Sequence, residues 1–325
     1  MKLLVTGGAG YIGSIVARQL IDAGHELVVL DNLERGHREA VPPGVRLVVA
    51  DLRDRETTAQ ALREGFDGVL HFAALSLVGE SVRDPGLYYR TNVGGTLNLL
   101  EAIVAAGVGR LVFSSTAAVY GQPERVPIPE DAPPRPTNPY GASKLAVDGM
   151  IGTFCQAHGL GAVSLRYFNV AGASGDVGED HRPETHLIPN VLRAASGRAE
   201  HVDVYGTDYD TPDGTAIRDY IHIEDLAAAH LLALDGAQAG EHRIFNLGNG
   251  NGFSVREVIA AARGVTGTEI STREAPRRAG DPPMLVASSD RIRAELGWNA
   301  RKPELERMIG DAWAFIQARP DGYSD

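Results

Sequence analysis

The sequence predicts an α/β fold: a doubly wound parallel sheet with a smaller, discontinuous C-terminal unit. Three observations carry this. Short apolar runs alternate with helix-like stretches, the pattern of parallel strands buried on both faces. A glycine-rich turn follows the first run. The alternation stops near residue 168, where the chain becomes polar. With 325 residues, the chain exceeds one ordinary core and favours two units.

Residues 2–6, KLLVT, read as a buried strand. The glycine cluster and an amphipathic helix from about Ile12 to Ala23 follow. Further strands are expected at 26–31 (ELVVLD), 45–50 (VRLVVA), 68–72 (GVLHF), 110–115 (RLVFSS) and 162–167 (AVSLRY). Helices are expected over 87–106 and 139–158. Residues 172–186 read as a polar loop. Helix-like stretches follow at 187–197 and, after strand-like DYIHI, at 225–236; residues 253–317 mix short elements. The expected division is 1–168 and 169–325, with the chain returning to the first unit around 220–248. There is no internal repeat and no low-complexity segment.

Composition narrows the function. A net charge of −11 argues against nucleic acid as a partner. No run of 18 apolar residues is present, so no membrane span is expected. MKLLVTGG lacks the form of a signal peptide. The single cysteine, Cys155, fits a reducing cytoplasm. It falls in an apolar pattern with Met150, Ile151 and Phe154, and reads as a small buried hydrophobe. No Cys/His cluster has metal-ligand spacing, so no metal is expected.

Gly7-Gly8-Ala9-Gly10-Tyr11-Ile12-Gly13 sits between strand and helix. Gly8, Gly10 and Gly13 fit G-x-G-x-x-G; Gly7, Gly10 and Gly13 fit G-x-x-G-x-x-G. Such glycines allow a tight turn and close backbone approach to a pyrophosphate, whose charge the helix N–H groups meet. Asp31 ends the second strand, placed to accept hydrogen bonds from a ribose diol. A carboxylate there repels a 2′-phosphate, which favours NAD over NADP; Arg35 is the nearby group that would serve the opposite case. Asp51 is placed to reach adenine. The small residues of Phe72-Ala73-Ala74-Leu75 leave room for a cofactor across the strand ends. Together these define a Rossmann-type dinucleotide site.

Tyr140 and Lys144 lie four apart at the start of a helix, hence on one face. A free phenol titrates near roughly 10, too high for a base at neutral pH. A neighbouring ammonium and a positive nicotinamide favour phenolate, making Tyr140 a general base. Lys144 is also placed to bond the nicotinamide ribose. Thr116, after Ser114-Ser115 at a strand end, supplies a hydroxyl for the substrate oxygen. A lone Tyr/Lys pair is commonplace on helix surfaces; the upstream fingerprint gives this one meaning. His222, between Ile221 and Ile223, reads as a packed strand histidine.

Over essentially the whole chain the sequence resembles the extended short-chain dehydrogenase/reductase family, and within it the UDP-glucose 4-epimerases. The carrying segments are TGGAGYIG (6–13), VVLDNL (28–33), HFAAL (71–75), VGESV (78–82), YYRTNVGGTLNLL (88–100), FSSTAAVYG (113–121), NPYGASK (138–144), LRYFNVAGA (165–173), GTAIRDYIHIEDLA (214–227) and PRRAGDPP (276–283). The resemblance implies C4 oxidation of a UDP-hexose by tightly bound NAD+, a 4-keto sugar that swings about its pyrophosphate, and hydride return to the other face. UDP-glucose and UDP-galactose are the implied pair. Tyr140, Lys144 and Thr116 are the implied catalytic residues.

The resemblance also assigns a cofactor shell. It comprises Gly7, Gly10, Tyr11, Ile12 and Gly13 at the turn, then Asp31, Asn32, Asp51 and Leu52. Phe72, Ala73, Ala74, Asn92, Ser114 and Phe168 complete it with Tyr140 and Lys144. For the substrate it implies Asn169, Arg218 and Arg278 at the diphosphate, Asp281 at a ribose with Tyr220 nearby, and Asp203 with Tyr205 at uracil. His186 and Leu187 fall near the phosphates. Ser76 departs from a lysine of some members, and His186 from an asparagine. Leu285 stands where a bulky residue excludes and a small one admits an N-acetyl group; Leu is intermediate, so some activity on the N-acetyl pair is expected. A homodimer through the helices near 87–106 and 139–158 is implied. Ala117-Ala118 stand where a 4,6-dehydratase carries Asp-Glu, which argues against dehydration. A 4-epimerase of UDP-pentose or UDP-uronate stays open, as does a non-catalytic NAD-binding scaffold, though the latter would not need Tyr140, Lys144 and Thr116 together.

Overall fold

The computed structural model describes residues 1–278 and 281–324. Ala279 and Gly280 of the PRRAGDPP segment, and Asp325, lie outside the described residues.

The first half follows the expected alternation. Its elements are β1 (Lys2–Thr6), α1 (Tyr11–Asp22), β2 (Glu26–Asp31), β3 (Arg46–Val49), α2 (Arg55–Leu62) and β4 (Gly68–His71). Then come α3 (Val78–Arg83), α4 (Pro85–Tyr88), α5 (Gly95–Ala106), β5 (Arg110–Thr116), α6 (Pro139–His158) and β6 (Gly161–Tyr167). The second half holds β7 (Asn169–Ala171), α7 (Leu187–Ala195), β8 (Val202–Tyr205), β9 (Ile217–His222), α8 (Ile223–Asp235) and β10 (His242–Leu247). It ends with β11 (Gly252–Ser254), α9 (Val255–Thr266), β12 (Thr272–Ala275), β13 (Met284–Leu285), α10 (Asp290–Leu296) and α11 (Leu305–Ala318).

Seven strands form one parallel sheet in the order β10-β6-β5-β4-β1-β2-β3. The strand order reverses beside β1, and in open α/β sheets ligands bind in the crevice at such a switch point. Strands such as β1 and β6 are buried along almost their whole length, as expected when helices cover both faces. One apolar core joins α1 and α8 to the sheet; the other joins α2, α5 and α6. A second sheet pairs β9 with β7, β11 and β13, while β8 pairs with β12. A third core of α7, α9, α11, β8 and β9 supports them.

Three details differ from the sequence expectation. The helix expected over 87–106 is divided into α4, a π-helical turn over Tyr89–Gly94, and α5. Asp84 starts α4 by accepting from the Leu87 N–H at 2.9 Å, and Pro85 takes the first turn. The buried Asn92 sits in the π turn, where its amide bonds both Leu75 and Ser143. Second, the strand-like DYIHI belongs to the smaller sheet as β9; the chain rejoins the large sheet through α8, packed on α1, and β10, paired with β6. Third, α9 and α11 are full helices of 12 and 14 residues rather than short elements. No helix among the described residues is long and apolar enough to cross a membrane.

Candidate functional site

The glycine turn brings β1, α1 and the end of β4 together. Gly7 has φ +73°, and a Cβ there would lie 2.4 Å from the Ala73 nitrogen. A Cβ on Gly13 would lie 2.2 Å from the Gly7 carbonyl oxygen. These two glycines let the chain fold onto itself. At Gly10 a Cβ would meet only that oxygen, at 3.4 Å. The space beside it is the cradle a side chain would fill. Gly10 caps α1 without any side-chain bond, so the N–H groups of Tyr11 and Ile12 remain free for an anion. The residues present fit a dinucleotide pyrophosphate. The Tyr11 hydroxyl is spent elsewhere, donating to the Gly172 carbonyl at 2.6 Å.

Asp31 is buried and accepts from the Ala9 and Leu33 N–H groups at 3.0 and 2.9 Å. Burial raises its pKa despite those bonds, and each oxygen keeps a lone pair for a further donor. Asn32 donates to Asp51 at 2.9 Å. The Arg53 guanidinium beside Asp51 holds that carboxyl down to about 2. Leu52 is buried, and its carbonyl accepts from Asn98 at 2.8 Å. The Phe72 and Ala73 N–H groups both reach the Thr6 carbonyl, at 2.8 and 3.1 Å. They carry the chain past the turn, with Ala74 half-buried next. Arg35 is taken by Glu80 at 2.9 Å and the Arg182 carbonyl.

The reactive triplet lies at the C-terminal edge of β5. Asn138 caps α6 by accepting from the Gly141 N–H at 2.9 Å, with Pro139 in the first turn. This fixes the face that carries Tyr140 and Lys144. Lys144 is buried; its Nζ donates to the Ser114 carbonyl at 2.7 Å and lies 4.7 Å over the Phe113 ring. Burial brings its pKa down to about 7, partly offset by Asp148. The Tyr140 ring is half-buried, and burial pushes its phenol up, against the lowering effect of the Thr116 hydroxyl bonded to it. The expected drop in the Tyr140 pKa is therefore not produced by the chain's own groups: Lys144 points its charge at Ser114, and desolvation dominates. The Ser114 hydroxyl bonds the Tyr167 hydroxyl.

The neighbouring wall is apolar. Phe168 and Leu285 pack on Val119, Tyr120 and Ile128. Asn92, expected in the cofactor shell, has its amide engaged with Leu75 and Ser143. That bond set holds the end of β4 against α6.

The second unit presents Arg218 and Asn169 on adjacent strands, since β7 pairs with β9. Arg218 donates to Asp281 at 2.6 Å and to the Pro282 carbonyl at 2.9 Å. The Arg278 guanidinium stacks 4.2 Å over the Tyr205 ring. Asp203 is paired with Arg273 at 2.7 Å. Leu285 stands opposite Arg218 across the β13–β9 pair. Leu187 opens α7, with His186 as its N-cap. Tyr220 behaves differently from expectation: it is 4% exposed and packs in the third core. Its side of β9 faces helices, while the Arg218 end of the strand is half-exposed. His222 is fully buried, with Nε2 3.1 Å from Asp311 and Nδ1 accepting from Glu224 N–H. Cys155 is buried too, its thiol pushed up to about 11.

Three groups escaped the sequence reading. Asp148, one turn after Lys144, makes a buried pair with Arg166 at 2.9 Å and accepts from Ser115; its i+4 spacing from Lys144 was the available signal. Asp219 is buried under the N–H groups of Asn249, Gly250 and Ala287. Burial raises its pKa to about 6 despite those three bonds. Finally, Glu179, His181, Glu184 and His186 converge, each offering a ligand atom within 4.8 Å of the others. Cys/His spacing carries no mark of a cluster built on alternating Glu and His.

Comparison with known proteins agrees with this geometry. The profile of the NAD dependent epimerase/dehydratase family matches residues 3–248. A UDP-glucose 4-epimerase of Streptomyces lividans is 58% identical over 326 residues, covering 100% of this chain and 98% of that protein. A crystal structure of a UDP-glucose 4-epimerase superposes with a TM-score of 0.96 at 47% identity, covering 100% of both chains. The Bifidobacterium longum enzyme, solved in complex with NAD+ and UDP, superposes with a TM-score of 0.94 at 36% identity, covering 99% of this chain and 100% of that one.

Proposed function

The chain belongs to the NAD dependent epimerase/dehydratase family, and from that premise we propose that it interconverts UDP-glucose and UDP-galactose at C4. The observation that carries this is the Thr116–Tyr140–Lys144 constellation at the end of β5, beside the glycine turn. The turn and Asp31 would hold NAD, which when bound would supply the hydride acceptor and donor for C4.

The chain's residues do the rest. With the positive nicotinamide ring that bound NAD+ would place beside it favouring the phenolate, Tyr140 would take the proton of the C4 hydroxyl as the C4 hydrogen leaves, giving a 4-keto sugar. Thr116 bonds the same oxygen and steadies the phenolate. Lys144, tied to the Ser114 carbonyl, fixes the face of α6 on which Tyr140 stands and is placed to bond the nicotinamide ribose. Arg218, Arg278 and Asn169 grip the diphosphate, a task suited to guanidinium groups. Asp203, Tyr205 and Asp281 serve the uridine. The sugar, held by its nucleotide, turns over at the apolar wall of Phe168 and Leu285 and meets hydride on its other face. Tyr140 then returns the proton, so the base works once in each half-reaction. Leu285 leaves partial room for an N-acetyl group, which supports weaker turnover of UDP-GlcNAc.

The test is a panel of UDP-sugars followed by separation of C4 epimers. The expected result is fast UDP-glucose/UDP-galactose exchange and slower exchange of the N-acetyl pair. Exchange of a UDP-pentose or UDP-uronate in preference would replace the substrate assignment. A homodimer through the helices near 87–106 and 139–158 completes the reading. Support comes from Tyr89 and Leu97 of the first stretch, apolar side chains 45% and 40% exposed. The lone buried thiol supports a cytoplasmic setting.

A further inference from the structure

The polar stretch between β7 and α7 gathers four side chains away from Thr116, Tyr140 and Lys144, with His186 at the edge expected near the substrate phosphates. Glu179 and Glu184 are almost fully enclosed, their side chains 9% and 4% exposed. Two enclosed carboxylates facing one another are costly unless a cation sits between them. The two histidines face the same pair. His186 Nδ1 lies 2.7 Å from Glu179 and 2.9 Å from Glu184. His181 Nδ1 lies 3.0 Å from Glu179 and 3.8 Å from Glu184.

The His181 nitrogen supplies an independent observation. It is buried and makes no hydrogen bond, although a carboxylate oxygen is close by. A tetrahedral ion with bonds of roughly 2.0–2.2 Å sets its ligand atoms roughly 3.4 Å apart. The His–Glu distances, 2.7–3.8 Å, lie on either side of that value, and all four ligand atoms fall within 4.8 Å of one another, so a modest contraction of the loop would close a shell. Two imidazoles and two carboxylates form a mixed donor set suited to zinc. Around a dication, two carboxylates and two neutral imidazoles leave no net charge. The backbone N–H groups of Thr185 and His186 bond Glu184 at 2.6 and 2.7 Å, the outer bonds that orient a ligating carboxylate.

We propose that Glu179, His181, Glu184 and His186 form a structural zinc site. The ion would tie down the loop that links the β7 strand to α7. That loop also meets α1, through Gly172 and the Tyr11 hydroxyl, and the C-terminal tail, through Asp180 and the Tyr323 N–H at 3.0 Å. All four ligands come from eight consecutive residues, so the site is closed within one loop and touches no reacting atom.

The test uses the full chain, freed of metal by chelation and dialysed. Zinc is added back and followed by calorimetry and by elemental analysis after gel filtration. The expected result is one zinc per chain and a rise in Tm that grows with zinc concentration. Glu179→Gln and His181→Ala should each weaken binding at least tenfold. Cobalt in place of zinc should give the strong visible absorption of a tetrahedral ion, absent in both variants. No retained zinc, or equal binding by wild type and both variants, would overturn the site and leave a cluster of protonated histidines on glutamates. Retention of manganese with no affinity for zinc would overturn the zinc assignment.

Discussion

The end of β5 and the Arg218 region differ in how their polar groups are held. Around Thr116, Tyr140 and Lys144 the partners are buried and internal: Lys144 on Ser114, Asp148 on Arg166, Asn92 on Leu75 and Ser143. Around Arg218, Asp203 and Arg278 the partners are half-exposed or exposed, and replaceable: Asp281, Arg273, the Tyr205 ring. The first region is ordered before any ligand arrives. The second holds its cations on partly exposed groups, which under the proposed function a diphosphate or uracil would displace. The contrast matches an enzyme that keeps its cofactor and exchanges its substrate.

The largest expected effect tests the ordered region. Tyr140→Phe removes the general base and should lower kcat by about three decades or more, read from initial rates of C4 epimer formation. Unchanged kcat would remove the phenol from the mechanism. A pair of substitutions then compares the regions directly. Asp148→Ala leaves Arg166 charged and buried, and should cost about 3–5 kcal/mol in urea unfolding. Asp203→Ala breaks a pair whose members are 26% and 62% exposed, and should cost under about 1 kcal/mol. Equal costs would erase the distinction.

Next in size is Arg218→Ala. Loss of a charge-assisted grip on the diphosphate should raise KM about tenfold to a hundredfold, with kcat nearly kept. A fall in kcat with KM unchanged would move Arg218 from binding to chemistry. The smallest signal comes from Cys155, on the helix that carries Tyr140. With its pKa up at about 11, about one thiol in a thousand is thiolate at pH 8. Alkylation of native protein should be slow, with full labelling in denaturant. Fast native labelling would mean that α6 opens readily.

Much of the ordered region could be read from sequence. Strands β1, β2, β4, β5 and β6 are apolar runs bounded by glycine or helix, and a parallel sheet needs little more. The glycine turn is legible because Gly13 is demanded by its close contacts with Gly7 and Gly8 within the same turn, and Gly7 by its positive φ and its approach to Ala73. The π turn at Asn92 was not legible, since it serves bonds to residues 17 and 51 positions away. Tyr220 shows the same limit: alternation along β9 does not say which face meets helices. The direction of the Tyr140 shift failed for a similar reason. Spacing places Lys144 on the right face, but the tertiary fold aims its ammonium at Ser114. The Glu179–His186 cluster hides in a loop, where no periodicity marks which side chains converge.

The central claim is that one hydride leaves C4 and comes back, with Tyr140 moving only the hydroxyl proton. Incubation of UDP-galactose with the enzyme in deuterium oxide tests it. NMR and mass spectrometry of the UDP-glucose formed should show no deuterium at C4. Deuterium at that carbon would mean that the C4 hydrogen passes through solvent as a proton, and would contradict the mechanism.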